Sequence, residues 1–311
     1  MTLTSVTIEP HSTKRSRQMP LLICAKMQKM LEIAMIRPLV IALLVLVCPG
    51  VGAAELLPEL KATIAALDQS ASERNLDRLT GYFAPQFKNG DGITLDQLKT
   101  NLTSLWSRYD RIEYQTTIDG WEQKDSDYIV KTTTKIKGLK PKDKTDFVLE
   151  AQISAEQTYR KNNSRWQIVS QNILAEQSTL RSGEDPPQVE LRLPQQIGVG
   201  RNYAFDAIIT KPLGNSLVLG ATFDEAVNAN NYFRERSVDL VPLRAGGIFK
   251  IGSAPFQPGN RWISAVLVQE GGITIVSQRL RVSTNFTGNQ YTPLPDLPNT
   301  RRLQPKAPKN L

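Results

Sequence analysis

Apolar residues recur at every third or fourth position between residues 55 and 110, which is the spacing of amphipathic helices. A first helix is predicted from the apolar residues Leu56, Leu60, Ile64 and Leu67. A second, short helix is predicted over residues 72–83. A third begins at Thr94, because Thr94 and Gln97 have the spacing of a capping box, in which each side chain bonds the backbone N–H of the other. Its apolar stripe consists of Leu98, Leu102, Leu105, Trp106 and Tyr109.

After Asp110 the apolar residues alternate with polar ones at every second position, which is the period of a strand with one buried face. Four strands are predicted, and their alternating positions include Ile112, Tyr114, Tyr128, Val130, Phe147, Leu149, Trp166 and Ile168. The first half of the chain is therefore predicted to begin with three helices and to end with an antiparallel sheet.

The second half has no helical period and contains short runs rich in Val, Ile and Leu, separated by Gly, Pro and Asn. Seven strands are predicted there, over residues 189–193, 203–209, 217–223, 237–243, 247–251, 262–269 and 273–282. Gly271 and Gly272 predict a two-residue hairpin between the last two strands. Seven short strands in about 95 residues predict an all-β sandwich of immunoglobulin-like architecture.

A positively charged stretch precedes an apolar run at residues 39–47, which is followed by a Pro-Gly break and small residues. These are the parts of a secretory signal peptide, predicted over residues 35–54 with cleavage after Ala53 or Ala54. The run is shorter than the roughly 20 apolar residues that span a bilayer. The alternative is an uncleaved anchor over residues 38–54. The protein is therefore expected to be exported and to act in the periplasm or another extracytoplasmic space.

The rest of the chain divides by composition. Met35 stands where a compact signal peptide would begin, so residues 1–34 are interpreted as a mis-assigned extension, with a long basic leader as the alternative. The remaining parts are a first domain (55–177), a polar linker (178–187), the sandwich domain (188–283) and a Pro-rich, basic, disordered tail (284–311).

Both cysteines and the single histidine, Cys24, Cys48 and His11, precede residue 55. Without the leader, the chain has no thiol or imidazole for a disulfide, a common zinc site or a Ser-His or Cys-His nucleophile. The leader carries six Lys or Arg and two Asp or Glu, so its removal lowers the net charge from +8 to +4. We therefore predict no metal, no cofactor and no nucleic-acid partner.

Two motifs carry a resemblance to a known family. They are residues 75–87 (Asn-Leu-Asp-Arg-Leu-Thr-Gly-Tyr-Phe-Ala-Pro-Gln-Phe) and residues 165–169 (Arg-Trp-Gln-Ile-Val). The first resembles the second helix and following loop of the nuclear transport factor 2-like (SnoaL-like) superfamily, and the second resembles its final strand. The resemblance covers residues 55–177 and implies an α+β cone, with three helices packed on a curved antiparallel sheet, before the all-β sandwich. It does not fix a function, because the superfamily includes isomerases, cyclases, ligand binders and dimerisation modules.

Enzymes of this family place carboxylates inside an apolar cavity, where burial tunes their pKa values. In the predicted strands the core-facing positions carry no Asp, Glu or His. The carboxylates Asp119, Asp127, Glu150 and Glu156 fall on the opposite, solvated face. A β-bulge would reverse part of this assignment. The alternation therefore favours a protein without acid–base catalysis.

Five aromatic residues are the candidates for a ligand pocket at the mouth of the predicted cone: Tyr82, Trp106, Tyr109, Tyr114 and Trp121. The alternative for Trp106 and Tyr109 is a place in the core stripe of the third helix. Trp121 lies on the outer phase of its strand and is an alternative candidate for a dimer interface, where aromatic residues are enriched.

These observations together predict an exported, non-catalytic binding or assembly protein of the cell envelope. Its expected partner is an envelope protein or a small apolar ligand. A homodimer through the outer face of the first sheet is also expected. The basic residues of the tail are interpreted as keeping it soluble, and the alternative is weak contact of the tail with an anionic surface. The alternative is a small-molecule isomerase or cyclase that uses the cavity of the cone.

Overall fold

The computed structural model describes residues 55–141, 146–211, 217–229, 232, 237–243 and 246–286. The predicted extension (1–34), the signal peptide (35–54) and the tail beyond residue 286 lie outside the described residues. The described residues from Leu56 onward belong to one compact unit. In the described residues, no helix is both long and apolar enough to cross a membrane.

The described residues form helices where the apolar stripes predict them: α1 (Pro58–Ser72), α2 (Leu76–Thr80) and α3 (Leu95–Trp106). The capping box of α3 is present, because the backbone N–H of Gln97 donates to Thr94 Oγ1 at 3.4 Å and that of Thr94 donates to Gln97 Oε1 at 3.0 Å. The second helix is shorter than predicted. The chain turns into a strand after it, and sequence analysis missed that strand.

The strands of the described residues are β1 (Phe83–Asn89), β2 (Arg111–Lys124), β3 (Asp127–Lys140), β4 (Phe147–Asn162), β5 (Arg165–Ser182), β6 (Val189–Arg192), β7 (Gln196–Gly198), β8 (Asn202–Ile209), β9 (Leu219–Ala226), β10 (Val241–Pro242), β11 (Gly247–Ser253), β12 (Gly259–Gln269) and β13 (Gly272–Ser283). β12 and β13 form the predicted hairpin. Its two loop residues are Glu270 and Gly271, one position earlier than expected, because Gln269 pairs with Gly272.

Ten of these strands form a single sheet in the order β10-β9-β12-β13-β5-β4-β3-β2, with β1 beside β5 and β7 beside β13. β5 joins the two halves of this sheet. Over its whole length it pairs with β4, and its last part, from Gln177 to Ser182, also pairs with β13. The pairs from β2 to β5 and from β5 to β10 along this order are antiparallel.

The predicted fold class, a three-helix α+β cone followed by a separate sandwich, is therefore wrong. The structure is mostly one large antiparallel sheet that continues through both halves of the chain. Residues 178–182, which sequence analysis placed in a linker, belong to β5. Sequence analysis missed this part of the strand because its residues are polar. The hydrogen bonds between strands use only the backbone, so polar residues can form them. Here Thr179 and Ser182 are buried and pair with strands on both sides.

A second, three-stranded sheet has the order β11-β8-β6 and packs against one face of β9, β12 and β13. The core between the two sheets includes Tyr203, Phe205, Ala207, Ile248, Ile263, Ala265, Leu267, Val276 and Leu280. The helices pack at the other end of the large sheet. Their contacts form two further apolar clusters, one around Leu60, Val130, Tyr159 and Ile168 and one around Leu79, Trp106, Ile136 and Ala151.

Candidate functional site: a buried arginine held by two carboxylates

Arg279 is the largest fully buried side chain in the described part of the protein, at 1% exposure. It lies on β13, where side chains alternate between the two faces of the sheet. Its neighbour Gln278 faces the three-stranded sheet and donates to the carbonyl oxygen of Leu193 at 3.0 Å. Arg279 therefore points to the opposite face of the large sheet.

Two carboxylates hold the guanidinium group. Nη1 and Nη2 of Arg279 donate to the two oxygens of Asp91 at 2.9 and 3.0 Å, which is a bidentate pair. Nε and Nη2 donate to Glu176 Oε2 at 3.1 and 2.8 Å. Asp91 lies in the turn between β1 and α3, and Glu176 lies on β5. The ion pair therefore connects three segments that are far apart in sequence.

Three further side chains complete the Arg279 cluster, which we define as Asp91, Glu176, Tyr232, Asn260, Trp262 and Arg279. The Tyr232 hydroxyl donates to Asp91 Oδ2 at 2.6 Å, and Asn260 Nδ2 donates to Asp91 Oδ1 at 2.9 Å. Trp262 Nε1 donates to Glu176 Oε2 at 3.1 Å. The rings of Tyr232 and Trp262 meet edge to face at 4.7 Å. Each carboxylate thus accepts hydrogen bonds from side chains other than Arg279.

Within the cluster, the opposite charges offset the cost of removing each charged group from water. Burial alone would raise the pKa of Asp91, but the hydrogen bonds and charge of Arg279, with Tyr232 and Asn260, lower that pKa below its ordinary value. Burial would lower the pKa of Arg279, but the two carboxylates and Tyr232 raise it further above its already high value. Burial beside Glu176 and Asp91 also raises the pKa of Tyr232. Asp91 and Arg279 are therefore charged, and Tyr232 is neutral.

This arrangement is suited to fixing structure rather than to proton transfer. All three nitrogens of the guanidinium group donate to carboxylates or to Tyr232, and the side chains of Arg279 and Asp91 are 0% and 1% exposed. An ionised carboxylate whose pKa is lowered by an arginine is a weak base near neutral pH. The Arg279 cluster therefore acts as a rigid connection between the turn after β1 and the second half of the sheet.

Sequence analysis did not identify this cluster, although weak signals were present. Arg279 lies between Gln278 and Leu280 on the last strand, and Asp91 lies in a Gly-rich polar turn. That turn is shaped by Asn89, whose Oδ1 accepts the backbone N–H groups of Asp91 and Ile93 at 3.0 and 2.8 Å. Because Asp91 and Arg279 are separated by 188 residues, the sequence alone gives no reason to pair them.

A second polar arrangement lies between α1 and the sheet. The two oxygens of Asp68 accept the backbone N–H and the hydroxyl of Thr116, both at 2.6 Å, and Thr116 Oγ1 lies 2.9 Å from Thr134 Oγ1. Burial, with the charge of Asp68 as a smaller cause, raises the pKa of Tyr159. The test for inward carboxylates considered strands only, so it missed this helical carboxylate.

The five predicted pocket residues are not all brought together. Trp106 Nε1 donates to the hydroxyl of Tyr114 at 3.1 Å, and both residues pack in one apolar cluster with Tyr109. Burial raises the pKa of Tyr114 to about 12. Trp121 packs elsewhere, in the cluster around Leu60, and stacks on Tyr128 at 5.7 Å. The interpretation of Trp106 and Tyr109 as core residues agrees with their burial, whereas a role in ligand binding stays a prediction.

Two predictions about the faces of the sheet were wrong: the outer phase of Trp121 and the solvent exposure of Glu150. A register shift between Ile118 and Gly120 places Trp121 against the apolar cluster around Leu60, so it does not lie on the outer phase. Glu150 was assigned to a solvated face but is 9% exposed and accepts a hydrogen bond from Arg181 at 2.7 Å.

Tyr82, the remaining candidate, is half-buried at the end of α2, where its carbonyl oxygen accepts the backbone N–H of Ile168 at 2.8 Å. In the described ranges, no group of three or more His, Cys, Asp or Glu side chains is placed to hold a metal ion.

The second half of the chain matches a known family model. Residues 184–283 match the family described as "Domain of unknown function (DUF8623)". The matched segment begins just after β5 and ends with the last residue of β13. It therefore contains four members of the Arg279 cluster: Tyr232, Asn260, Trp262 and Arg279. No curated protein matches the chain.

Several solved structures are similar to part of the chain. One is a protein of unknown function with a cystatin-like fold from Nostoc punctiforme, with 12% identity, 39% of this chain and 93% of that chain covered, and a TM-score of 0.31. A putative scytalone dehydratase from Novosphingobium aromaticivorans has 12% identity, 37% and 80% coverage, and a TM-score of 0.33. A hexachlorocyclohexane dehydrochlorinase (LinA, type 2) has 16% identity, 37% and 83% coverage, and a TM-score of 0.30. Proteins of the cystatin-like fold are thus among the similar structures.

Proposed function

We propose that this chain is an exported, non-catalytic binding or assembly protein of the cell envelope. The observation that carries this proposal is the Arg279 cluster. The most deeply buried charges of the described residues are engaged in an ion-pair network that fixes the fold. Such a network fixes the strands that present surfaces to a partner, and it holds Asp91 in its ionised, hydrogen-bonded form.

The location of the apolar residues supports the same role. Large apolar side chains that are well exposed include Leu217, Val241, Phe249, Ile251 and Phe256. A contiguous exposed apolar patch on a folded protein commonly marks an interaction site, and Phe249 and Ile251 lie on one face of β11. All five residues lie after residue 216, in the half of the chain that contains the three-stranded sheet. We therefore place the proposed binding surface in that half.

Two measurements test export and binding separately. N-terminal sequencing of the protein recovered from its own cells should give a first residue of Ala54 or Glu55. A protein that still begins before residue 38 contradicts cleavage of a signal peptide. The recovered protein should also carry an envelope protein or a small apolar molecule, identified by mass spectrometry of the purified complex. Its absence under crosslinking conditions contradicts the binding role.

A second candidate, a small-molecule isomerase or cyclase, rests on the carboxylate of Asp68, which lies between α1 and the sheet and accepts hydrogen bonds from Thr116. A side-chain carboxylate is a common general base. Turnover of a small apolar substrate that is lost in Asp68→Asn, while ligand binding is kept, would favour this enzyme. Binding with no turnover in either protein supports the non-catalytic role.

A further inference from the structure

β11 is the end strand of the three-stranded sheet and carries two large exposed apolar residues. Phe249 and Ile251 are 55% and 73% exposed, and they share one face of the strand because they are two positions apart. An exposed apolar end strand is a template for pairing with another strand, and folded proteins usually cover or charge such edges. The inward face of β11 is by contrast closed by the core, where Ile248 is buried.

The direction of the free backbone groups follows from the pairing of β11 with β8. The N–H of Ile209 donates to the carbonyl oxygen of Gly246 at 2.8 Å, and the N–H of Ala254 donates to that of Arg201 at 2.9 Å. Both bonds continue the register of the β8–β11 ladder. Since hydrogen-bonded pairs alternate with non-hydrogen-bonded pairs, the even-numbered residues of β11 bond to β8. The odd-numbered residues therefore direct their N–H and C=O groups to the open edge.

We propose that two copies of this chain form a two-fold symmetric dimer in which β11 pairs antiparallel with β11 of the second copy, centred on Lys250. This register places Phe249 opposite Ile251 of the second copy and Gly247 opposite Ser253. Every pair that exchanges hydrogen bonds then consists of two odd-numbered residues. The whole strand, Gly247–Ser253, is therefore used by both copies.

We assign a second copy of this chain to the open edge of β11 because the strand is complementary to itself. A two-fold interface uses the same surface on both subunits, so its pattern must match when it is reversed. Centring on Lys250 produces two Phe–Ile cross-strand pairs, and aromatic–β-branched pairs stabilise a sheet. Moving the centre to Phe249 would place Ile251 opposite Gly247 and shorten the ladder. The apolar pairs and the backbone groups thus select the same register.

Lys250 gives the proposed dimer a distinctive property. It lies on the two-fold axis, and its Nζ donates to Thr222 Oγ1 of β9 at 2.8 Å, which draws each ammonium group toward its own subunit. Two like charges on paired residues still oppose association. Salt should therefore strengthen the dimer, and Lys250→Gln should strengthen it further. An unrelated partner strand would not place a second lysine at this position.

The inference deepens the proposed assembly role and rests on it. A single strand pair buries less surface than a standard interface of about 1,600 Å², so we expect a reversible dimer rather than an obligate one. The interface also differs from the one expected from sequence, which used the outer face of the first sheet. Glu150 of that face is buried and bonded to Arg181 within its own chain.

Cysteine crosslinking tests the register in a full-length background with Cys24→Ser and Cys48→Ser. Directly opposed residues of a non-hydrogen-bonded pair have Cα atoms about 4.5 Å apart, which a disulfide can bridge. Lys250→Cys should therefore form a disulfide-linked dimer under mild oxidation at least tenfold faster than Phe249→Cys. In Phe249→Cys the two substituted residues would not be directly opposite each other. Their Cα atoms would be farther apart than the roughly 7 Å that a disulfide tolerates. Equal rates for the two variants would overturn the register.

Proline substitution tests the edge itself. Ile251→Pro removes an N–H that faces the open edge and leaves the bonds to β8 intact, so the monomer should still fold. Light scattering and analytical ultracentrifugation should show at least a tenfold weaker dimer. The control is Lys135→Thr, because Lys135 is exposed on β3 of the other sheet, and this variant should dimerise like the wild type.

The outcomes separate this interface from the broader proposal. A wild-type monomer at tens of micromolar, or a dimer unchanged by Ile251→Pro, overturns the β11 interface. Recruitment of an unrelated strand at this edge without self-association overturns the second copy as the occupant. Neither result affects the proposed binding role, which fails instead if the protein shows catalytic turnover or carries no partner in its own envelope.

Discussion

At the scale of single residues, burial of Arg279 is explained only by the side chains around it. A charged group that is removed from water must be paired and hydrogen-bonded, otherwise the desolvation cost is not offset. Here Asp91 approaches from the turn after β1, while Glu176 stands on the neighbouring strand β5. Folding of the first half therefore creates the environment that a residue of the second half requires.

Removal of Arg279 should strongly destabilise the protein. Arg279→Met leaves Asp91 buried without its cation, and breaking a buried pair in this way costs about 3–5 kcal/mol. The free energy of unfolding from urea titration measures the loss. Arg192→Met is the matched control, since Arg192 pairs with Glu190 on the surface with both side chains 50% exposed. The control should change stability by about 0–1 kcal/mol, and equal losses would contradict the structural role of Arg279.

The stability of the protein should decrease in acid because of Asp91. Its pKa in the folded protein lies below the ordinary value of 3.8, so ionised Asp91 contributes stability that is fully present above that value. As pH falls from about 4 through the folded pKa, the carboxylate binds a proton and the contribution is lost. In Asp91→Asn this position does not titrate. The difference in unfolding free energy between wild type and Asp91→Asn should therefore shrink below pH 4, and a constant difference would contradict the assignment.

At the scale of secondary-structure elements, the turn between β12 and β13 depends on a glycine. Gly272 has φ +148°, and a Cβ atom there would lie 2.3 Å from the carbonyl oxygen of Ser182 on β5. Gly272→Ala should therefore lower the unfolding temperature by several degrees, since the strained backbone and the close contact each oppose folding. Gly259→Ala is the control, because a Cβ at Gly259 would have no atom within 4 Å. Similar unfolding temperatures for the two variants would contradict this role of Gly272.

Elements with regular apolar periods were predictable, and their connections were not. The stripe of Leu60 and Ile64 and the capping box at Thr94 predicted helices that the structure contains. The alternation also predicted most strands. It failed at β5, whose C-terminal part is polar and is stabilised by strands on both sides. The Arg279 cluster could not be predicted either, because pairing between residues far apart in the chain leaves no periodic signal in the sequence.

At the scale of the whole molecule, β5 makes one sheet out of two halves. Its 18 residues continue from the helical end of the large sheet to the pairing with β13. The Arg279 cluster connects the same two regions through side chains. Backbone and side-chain connections thus act in parallel. Neither half is expected to lose its structure while the other remains folded.

Unfolding should therefore be a single cooperative transition across the described part of the chain. Native-state hydrogen exchange measures this directly. The slowest-exchanging amides of a strand report the free energy of the opening that exposes them, and β4 represents the first half and β12 the second. We expect equal values for the two strands in the wild type. In Arg279→Met the side-chain connection is lost while the β5–β13 ladder remains, so β12 should open at a lower free energy than β4. If the free energies of opening of β4 and β12 differ by more than about 2 kcal/mol in the wild type, the two halves are independent folding units. The shared sheet would then not couple their unfolding.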